Sequence, residues 1–124
     1  MTKMTNQEAF DKMVTHLASM KEACIDESGQ CVYWKPDGNR CAVGALLTEE
    51  EAIYFTEVKP GLTAPNLVDD PKCDSISHLD PCLLDDVQTV HDDWTPGKEI
   101  RWEELMVIAQ EYALDTTVLE KVST

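Results

Sequence analysis

The chain has 124 residues, which fits a single domain (residues 1–124) able to bury its own core without a metal or a disulfide staple. Its 24 acidic residues against 10 basic ones leave a net charge of −14, which repels nucleic-acid phosphates and anionic lipid and suits basic proteins or cations. No apolar run approaches the roughly 18–20 residues of a membrane span, and no charged start followed by an apolar stretch marks a secretory signal. The expected location is the cytoplasm, that of the host if the chain is phage-encoded. The five cysteines are irregularly spaced and are expected to be reduced thiols there.

Residues 1–4 read as a loose start. Thr5 with Glu8 three residues on makes a capping-box pattern. Phe10, Met13, Val14, Leu17 and Met20 then recur at helical spacing, predicting an amphipathic helix of about 17 residues. His16 falls beside that stripe. Asp26, Glu27, Ser28 and Gly29 signal a loop.

The next stretch, about 30–43, predicts a β-hairpin. Pro36-Asp37-Gly38-Asn39 supplies the turn. In that register Lys35 pairs with Arg40 and Trp34 with Cys41. Val32, Trp34, Cys41 and Val43 then share a core face. Cys31, Tyr33, Lys35, Arg40 and Ala42 share a mixed one, so Cys31 and Cys41 do not meet.

Thr48 with Glu51 repeats the capping-box pattern and starts a short helix over 50–55, with Ile53, Tyr54 and Phe55 as its apolar contacts. Residues 59–79 hold three prolines and several Asp, Asn and Ser residues, and read as one long loop. Asp80-Pro81 is a helix start, with Leu83, Leu84, Val87, Val90 and His91 on one broad side and Asp85 and Asp86 on the other. Thr95-Pro96-Gly97 stops it. A further helix over 102–114 carries Trp102, Leu105, Met106 and Ala109, and Asp115 caps a last short one. Four to five helices and one hairpin define a mainly helical α+β domain.

Two segments carry a resemblance. Cys31-x-Tyr33 followed by Gly38-x-Arg40-Cys41-Ala42-Val43-Gly44-Ala45-Leu46 resembles the signature of a set of small uncharacterised phage and bacterial proteins. Their pattern is roughly C-x-Y, then G-x-[KR]-C-A-[VI]-G-x-L, then a helix with L-Q-x-[IV]-H-D and a helix starting near Trp. Here the later motif reads Val87-Gln88-Thr89-Val90-His91-Asp92, with Val87 in place of leucine and Trp94 and Trp102 near. The resemblance spans Met4 to Leu114. It implies a phage or prophage origin and brings no established activity.

Several constellations bear on chemistry. A Cys41 thiolate with His91 as base and Asp92 behind it would follow the logic of a nucleophile triad, with Gly44 and the following amides as an oxyanion nest. The competing role for His91 is a cap at a helix C-terminus. Cys73, His78 and Cys82 are three metal-ligating residue types, without the tight paired spacing of zinc sites. No phosphate-binding glycine motif and no basic stripe is present, and no cofactor is expected.

Residues 44–97 hold twelve acids against Lys59 and Lys72. Tyr33, Arg40, Trp94, Asp85 and Asp86 are the expected partner-binding residues, being large anchors or acids near element ends. Charge and the absence of catalytic motifs point to an acidic accessory protein that binds and modulates a basic protein and is not an enzyme, and the resemblance implies that it is phage-type. The alternatives are a Cys41/His91 enzyme or metal-binding protein, and a DNA mimic whose carboxylates copy phosphates.

Overall fold

The computed structural model describes residues 4–20, 32–36, 39–60, 62–94 and 99–122. Helix α1, Asn6–Ser19, starts at the capping box predicted for it: the Glu8 N–H donates to Thr5 Oγ1 at 3.1 Å and the Thr5 N–H to Glu8 Oε1 at 3.0 Å. Two orphan amides of the first turn are thus satisfied. Ala9, Phe10, Met13, Val14 and Leu17 are buried along one side. Each large side chain among them contributes roughly 1.5–3 kcal/mol by leaving water.

Thr48 and Glu51 repeat the reciprocal cap at the start of α2, Glu49–Ile53. This helix runs straight into a π turn, Tyr54–Val58, closed by the Lys59 N–H donating to the Tyr54 carbonyl. Ala52 and Phe55 are buried, while Ile53 and Tyr54 are half-buried.

The segment expected to be one long loop, 59–79, folds instead into α3, Ala64–Val68, and a 3₁₀ turn, Asp74–Ile76. Proline content misled the reading. Pro65 lies in the first turn of α3, where its missing N–H leaves no helical bond unmade. Leu67, Cys73, Ile76 and Leu79 then anchor the segment in the core.

Helix α4, Pro81–Asp92, begins as predicted, with Asp80 Oδ1 accepting from the Cys82 N–H at 2.9 Å. Helix α5, Trp102–Glu111, stops where Ala113 takes a left-handed φ of 54°. Helix α6, Thr117–Val122, follows Asp115, whose Oδ1 accepts from the Thr117 N–H at 2.7 Å. Helices α1 and α4 form the centre. The first packs on α6 and the second on α3 and α5, and both touch the turn at 43–46. No helix among the described residues is long and apolar enough to cross a membrane.

The predicted hairpin does not form among the described residues. Among the described residues there is no strand, so the fold is all-helical and not α+β. Residues 30, 31, 37 and 38 of the predicted hairpin, Cys31 included, lie outside the described set, as do residues 1–3 of the expected loose start. What remains of the turn is the Lys35 N–H donating to the Asn39 carbonyl at 3.0 Å. The second predicted strand winds into a 3₁₀ helix, Val43–Leu46. The Ala45 N–H is shared between the Cys41 and Ala42 carbonyls, the Leu47 N–H reaches the Gly44 carbonyl, and Arg40 Nη1 donates to the carbonyls of Gly44 and Leu47. These groups are satisfied locally and leave little of the backbone for a ladder. The expected core face also changes: Tyr33, Cys41 and Val43 are buried, whereas Val32 and Trp34 are half-buried.

Gly44 lets the two arms of this stretch touch. A Cβ there would stand 2.2 Å from the Tyr33 carbonyl oxygen and 3.1 Å from its carbon, both backbone atoms unable to swing aside. The Gly44→Ala variant is therefore expected to lose about 3 kcal/mol, through overpacking of a buried site. Urea unfolding should show a lowered midpoint with an unchanged slope.

Candidate functional site

The two segments that carry the sequence resemblance meet in the interior. The Val43 N–H, at the start of the 3₁₀ turn, donates to Gln88 Oε1 on α4 at 3.0 Å. Gln88 Nε2 donates onward to Asp92 Oδ1 at 2.8 Å. His91 Nδ1 lies 2.9 Å from the same oxygen and 3.3 Å from Gln88 Nε2. A carboxylate only accepts, so His91 Nδ1 carries the proton and donates to Asp92. The contact between the two nitrogens is then one of proximity, because both are donors. The residues sit at i, i+3 and i+4 on one helix, which places all three side chains together.

Cys41 and His91 are buried, at 1% and 0% exposure. Cys41 Sγ accepts the Gly44 N–H at 3.3 Å, capping the 3₁₀ turn. Of the amides that an oxyanion nest would use, Gly44 and those following it, the Gly44 N–H points to Cys41 Sγ and the Ala45 N–H to the Cys41 and Ala42 carbonyls. To hold a developing oxyanion they would have to release them. The Asp92 carboxylate is the part of this cluster that reaches solvent. The Tyr33 hydroxyl donates to the Leu62 carbonyl. Burial pushes its pKa up, and the nearby Cys41 thiol and Asp92 carboxylate add to the rise.

The three residues weighed as metal ligands differ in setting. Cys73 is buried, Cys82 is exposed at the start of α4, and His78 is exposed with Nε2 bonded to the Met4 carbonyl. Among the described residues no group of three or more His, Cys, Asp or Glu side chains is arranged around a possible metal ion.

The residues expected to meet a partner are mostly engaged internally. Tyr33 and Trp94 are buried. Arg40 is half-buried, with Nη1 capping the 3₁₀ turn, and its carbonyl accepts from His16 Nε2 at 2.7 Å. Asp85 and Asp86 are half-buried on α4. Asp86 Oδ2 accepts from the Tyr112 hydroxyl at 2.8 Å, and burial together with that bond raises the Tyr112 pKa.

Charge is more open elsewhere. Glu49, Glu50, Glu57, Asp69 and Asp74 are exposed on and beside α2 and α3. Three contacts clamp this region. Lys59 Nζ bonds Asp70 Oδ2 at 2.8 Å, the Ser75 N–H donates to Glu51 Oε2 at 3.2 Å, and Lys72 lies 5.0 Å above the Tyr54 ring. The Lys59 ammonium holds the Asp70 carboxyl below its ordinary range. A cavity of about 300 Å³ opens here, lined by Thr48, Glu50, Glu51, Tyr54 and Lys72. A broader groove of about 710 Å³ runs along α1, lined by Asp11, Lys12, Thr15, His16, Ser19, Arg40 and Ala45. The sequence reading missed the role of Gln88 and the pairing of Lys72 with Tyr54. A buried amide at the second position of the later motif was the one signal for the first.

No family model, curated protein or solved structure matches the chain. The resemblance therefore rests on the residues of the two motifs alone.

Replacing Gln88 by leucine strands the buried Val43 N–H and removes a donor from Asp92. A loss of roughly 2 kcal/mol is expected in chemical unfolding, the usual cost of an orphaned buried donor. Cys73 sets an alkaline limit. Burial pushes its thiol from 9.0 to about 12, with Glu51 and Asp70 adding to the rise. The unfolded chain sheds that proton first, so this contribution to stability is whole below about pH 9 and is lost as pH climbs towards about 12. Stability of the parent should fall between about pH 9 and about pH 10, and the fall should be shallower in Cys73→Ala.

Proposed function

We propose that this chain is a small acidic accessory protein of phage type that binds a basic protein and modulates it without catalysing a reaction. The observation that carries the reading is the state of the two mid-chain lysines. Lys59 is bound to Asp70, and Lys72 sits on the Tyr54 ring. Neither ion-pairs with the exposed carboxylates of Glu49, Glu50, Glu57, Asp69 and Asp74 among the described residues. These leave a region of net negative charge on the surface, which steers a basic partner and sets its orientation.

The core cluster supports the same reading. Val43, Gly44, Gln88, His91 and Asp92 use their polar groups on one another, with Cys41 serving as a cap. Such bonding joins the two motifs and holds the acidic region's scaffold in place.

The test is capture from a lysate of the cells that express the protein, over a salt series. A basic protein should be retained at low salt and released as salt rises, since exposed charge is screened. Joint replacement Glu49→Lys, Glu50→Lys and Asp74→Lys should weaken capture by about tenfold or more. The equal charge change Glu103→Lys, Glu111→Lys and Glu120→Lys, on α5 and α6, should weaken it far less. Capture indifferent to salt, or equal loss in both triple variants, sinks the reading.

A further inference from the structure

A concave feature opens in the acidic region, and its lining is chemically selective. The Tyr54 ring is braced from one side by the buried Phe55, in an edge-to-face contact with centroids 4.9 Å apart and planes at 84°. Another part of the ring receives the Lys72 ammonium at 5.0 Å from its centroid. Ring faces attract cations through their quadrupole, and arginine does this better than lysine because its planar guanidinium also stacks.

The carboxylates of the cavity divide the work. Glu51 is fixed, with Oε1 accepting from Thr48 and Oε2 from Ser75. Glu50 is exposed, and its carboxylate makes no hydrogen bond or ion pair among the described residues. The Tyr54 N–H is shared between the Glu50 and Glu51 carbonyls as the α-helix passes into the π turn.

We infer that the cavity lined by Thr48, Glu50, Glu51, Tyr54 and Lys72 receives one arginine side chain of the basic partner, stacked on Tyr54 and paired with Glu50, and that Lys72 is the internal stand-in it displaces. This rests on the acidic-accessory reading and names where its anchor sits. A cavity of about 300 Å³ is at the small end of ligand sites and suits a single long side chain better than a whole metabolite. The chain's own lysine on the ring indicates the charge that the site accepts. Glu50 supplies a carboxylate which Lys72 leaves unpaired.

A short arginine-rich peptide serves as the probe, with a lysine-rich peptide of equal charge beside it. Titration followed by amide NMR shifts should perturb Thr48, Glu50 and Tyr54 saturably, with the arginine peptide tighter. Calorimetry should show Lys72→Ala binding the arginine peptide about fivefold more tightly, because the internal competitor is gone. Lys12→Ala on α1, with the same charge change, should alter affinity less than about twofold. Glu50→Gln, an exposed change that leaves the core intact, should weaken binding about fivefold or more, and Tyr54→Leu should do the same. Equal effects of Lys72→Ala and Lys12→Ala, or shifts centred elsewhere on the surface, overturn the inference. Salt-sensitive capture from lysate that survives Glu50→Gln would leave the accessory role standing and remove only this anchor. Loss of salt-sensitive capture in the parent would remove both.

Discussion

A single buried hydrogen bond, from the Val43 N–H to Gln88 Oε1, joins parts of the chain that are 45 residues apart. A backbone donor buried without an acceptor costs about as much as the bond it fails to make. The 3₁₀ turn at 43–46 therefore sits in the core because α4 brings an amide side chain to meet it. The same amide turns its other end to Asp92, which also accepts from His91. Every polar group in this small network has an acceptor or donor of the right kind, so it fixes the register of the turn on α4. Gly44 completes the arrangement from the other side, where the Tyr33 backbone comes within reach of a missing side chain.

The parts of this fold that were legible in the sequence are those decided within four residues. The boxes at Thr5 and Thr48 and the cap at Asp80 are short-range bargains between a side chain and the next turn's amides, and each appears as read. The apolar stripe of α1 follows from periodicity alone. The misreadings all concern segments whose conformation is settled at a distance. Valine, tyrosine and tryptophan around the turn favour strands in general, but Tyr33 reaches Leu62 and Val43 reaches Gln88. Likewise the prolines near 65 are compatible with either a loop or a helix start, and burial of Leu67 and Ile76 decides between them. The site was less legible still. Lys72 and Tyr54 are eighteen positions apart, and nothing local marks them as partners.

The negative charge has two distinct uses. Glu8, Glu51, Asp80 and Asp115 accept from amides at helix starts, where the positive end of the helix favours a carboxylate. Those acids are architectural, and their presence inflates a composition-based view of the surface. Of the acids that remain open, Glu49, Glu50, Glu57, Asp69 and Asp74 lie on and beside α2 and α3, while Asp93, Glu103, Glu111 and Glu120 are spread over α4, α5 and α6. A composition of −14 thus overstates how much of the surface is available for recognition, and locates none of it.

Gln7 bonds the backbone of Asp115 twice, from the other end of the chain's sequence of helices. Its Nε2 donates to the Asp115 carbonyl at 3.0 Å, and its Oε1 accepts the Asp115 N–H at 2.7 Å, across 108 positions. The side chain thereby imitates one rung of a backbone ladder, stitching the first turn of α1 to the approach to α6. During synthesis α1 emerges before α6, and the segment that covers it through Leu119 leaves the ribosome only after all the intervening helices. Closing so long a loop is slow relative to local helix formation. The apolar side of the first helix is thus expected to wait, partly bare, until α6 has been made.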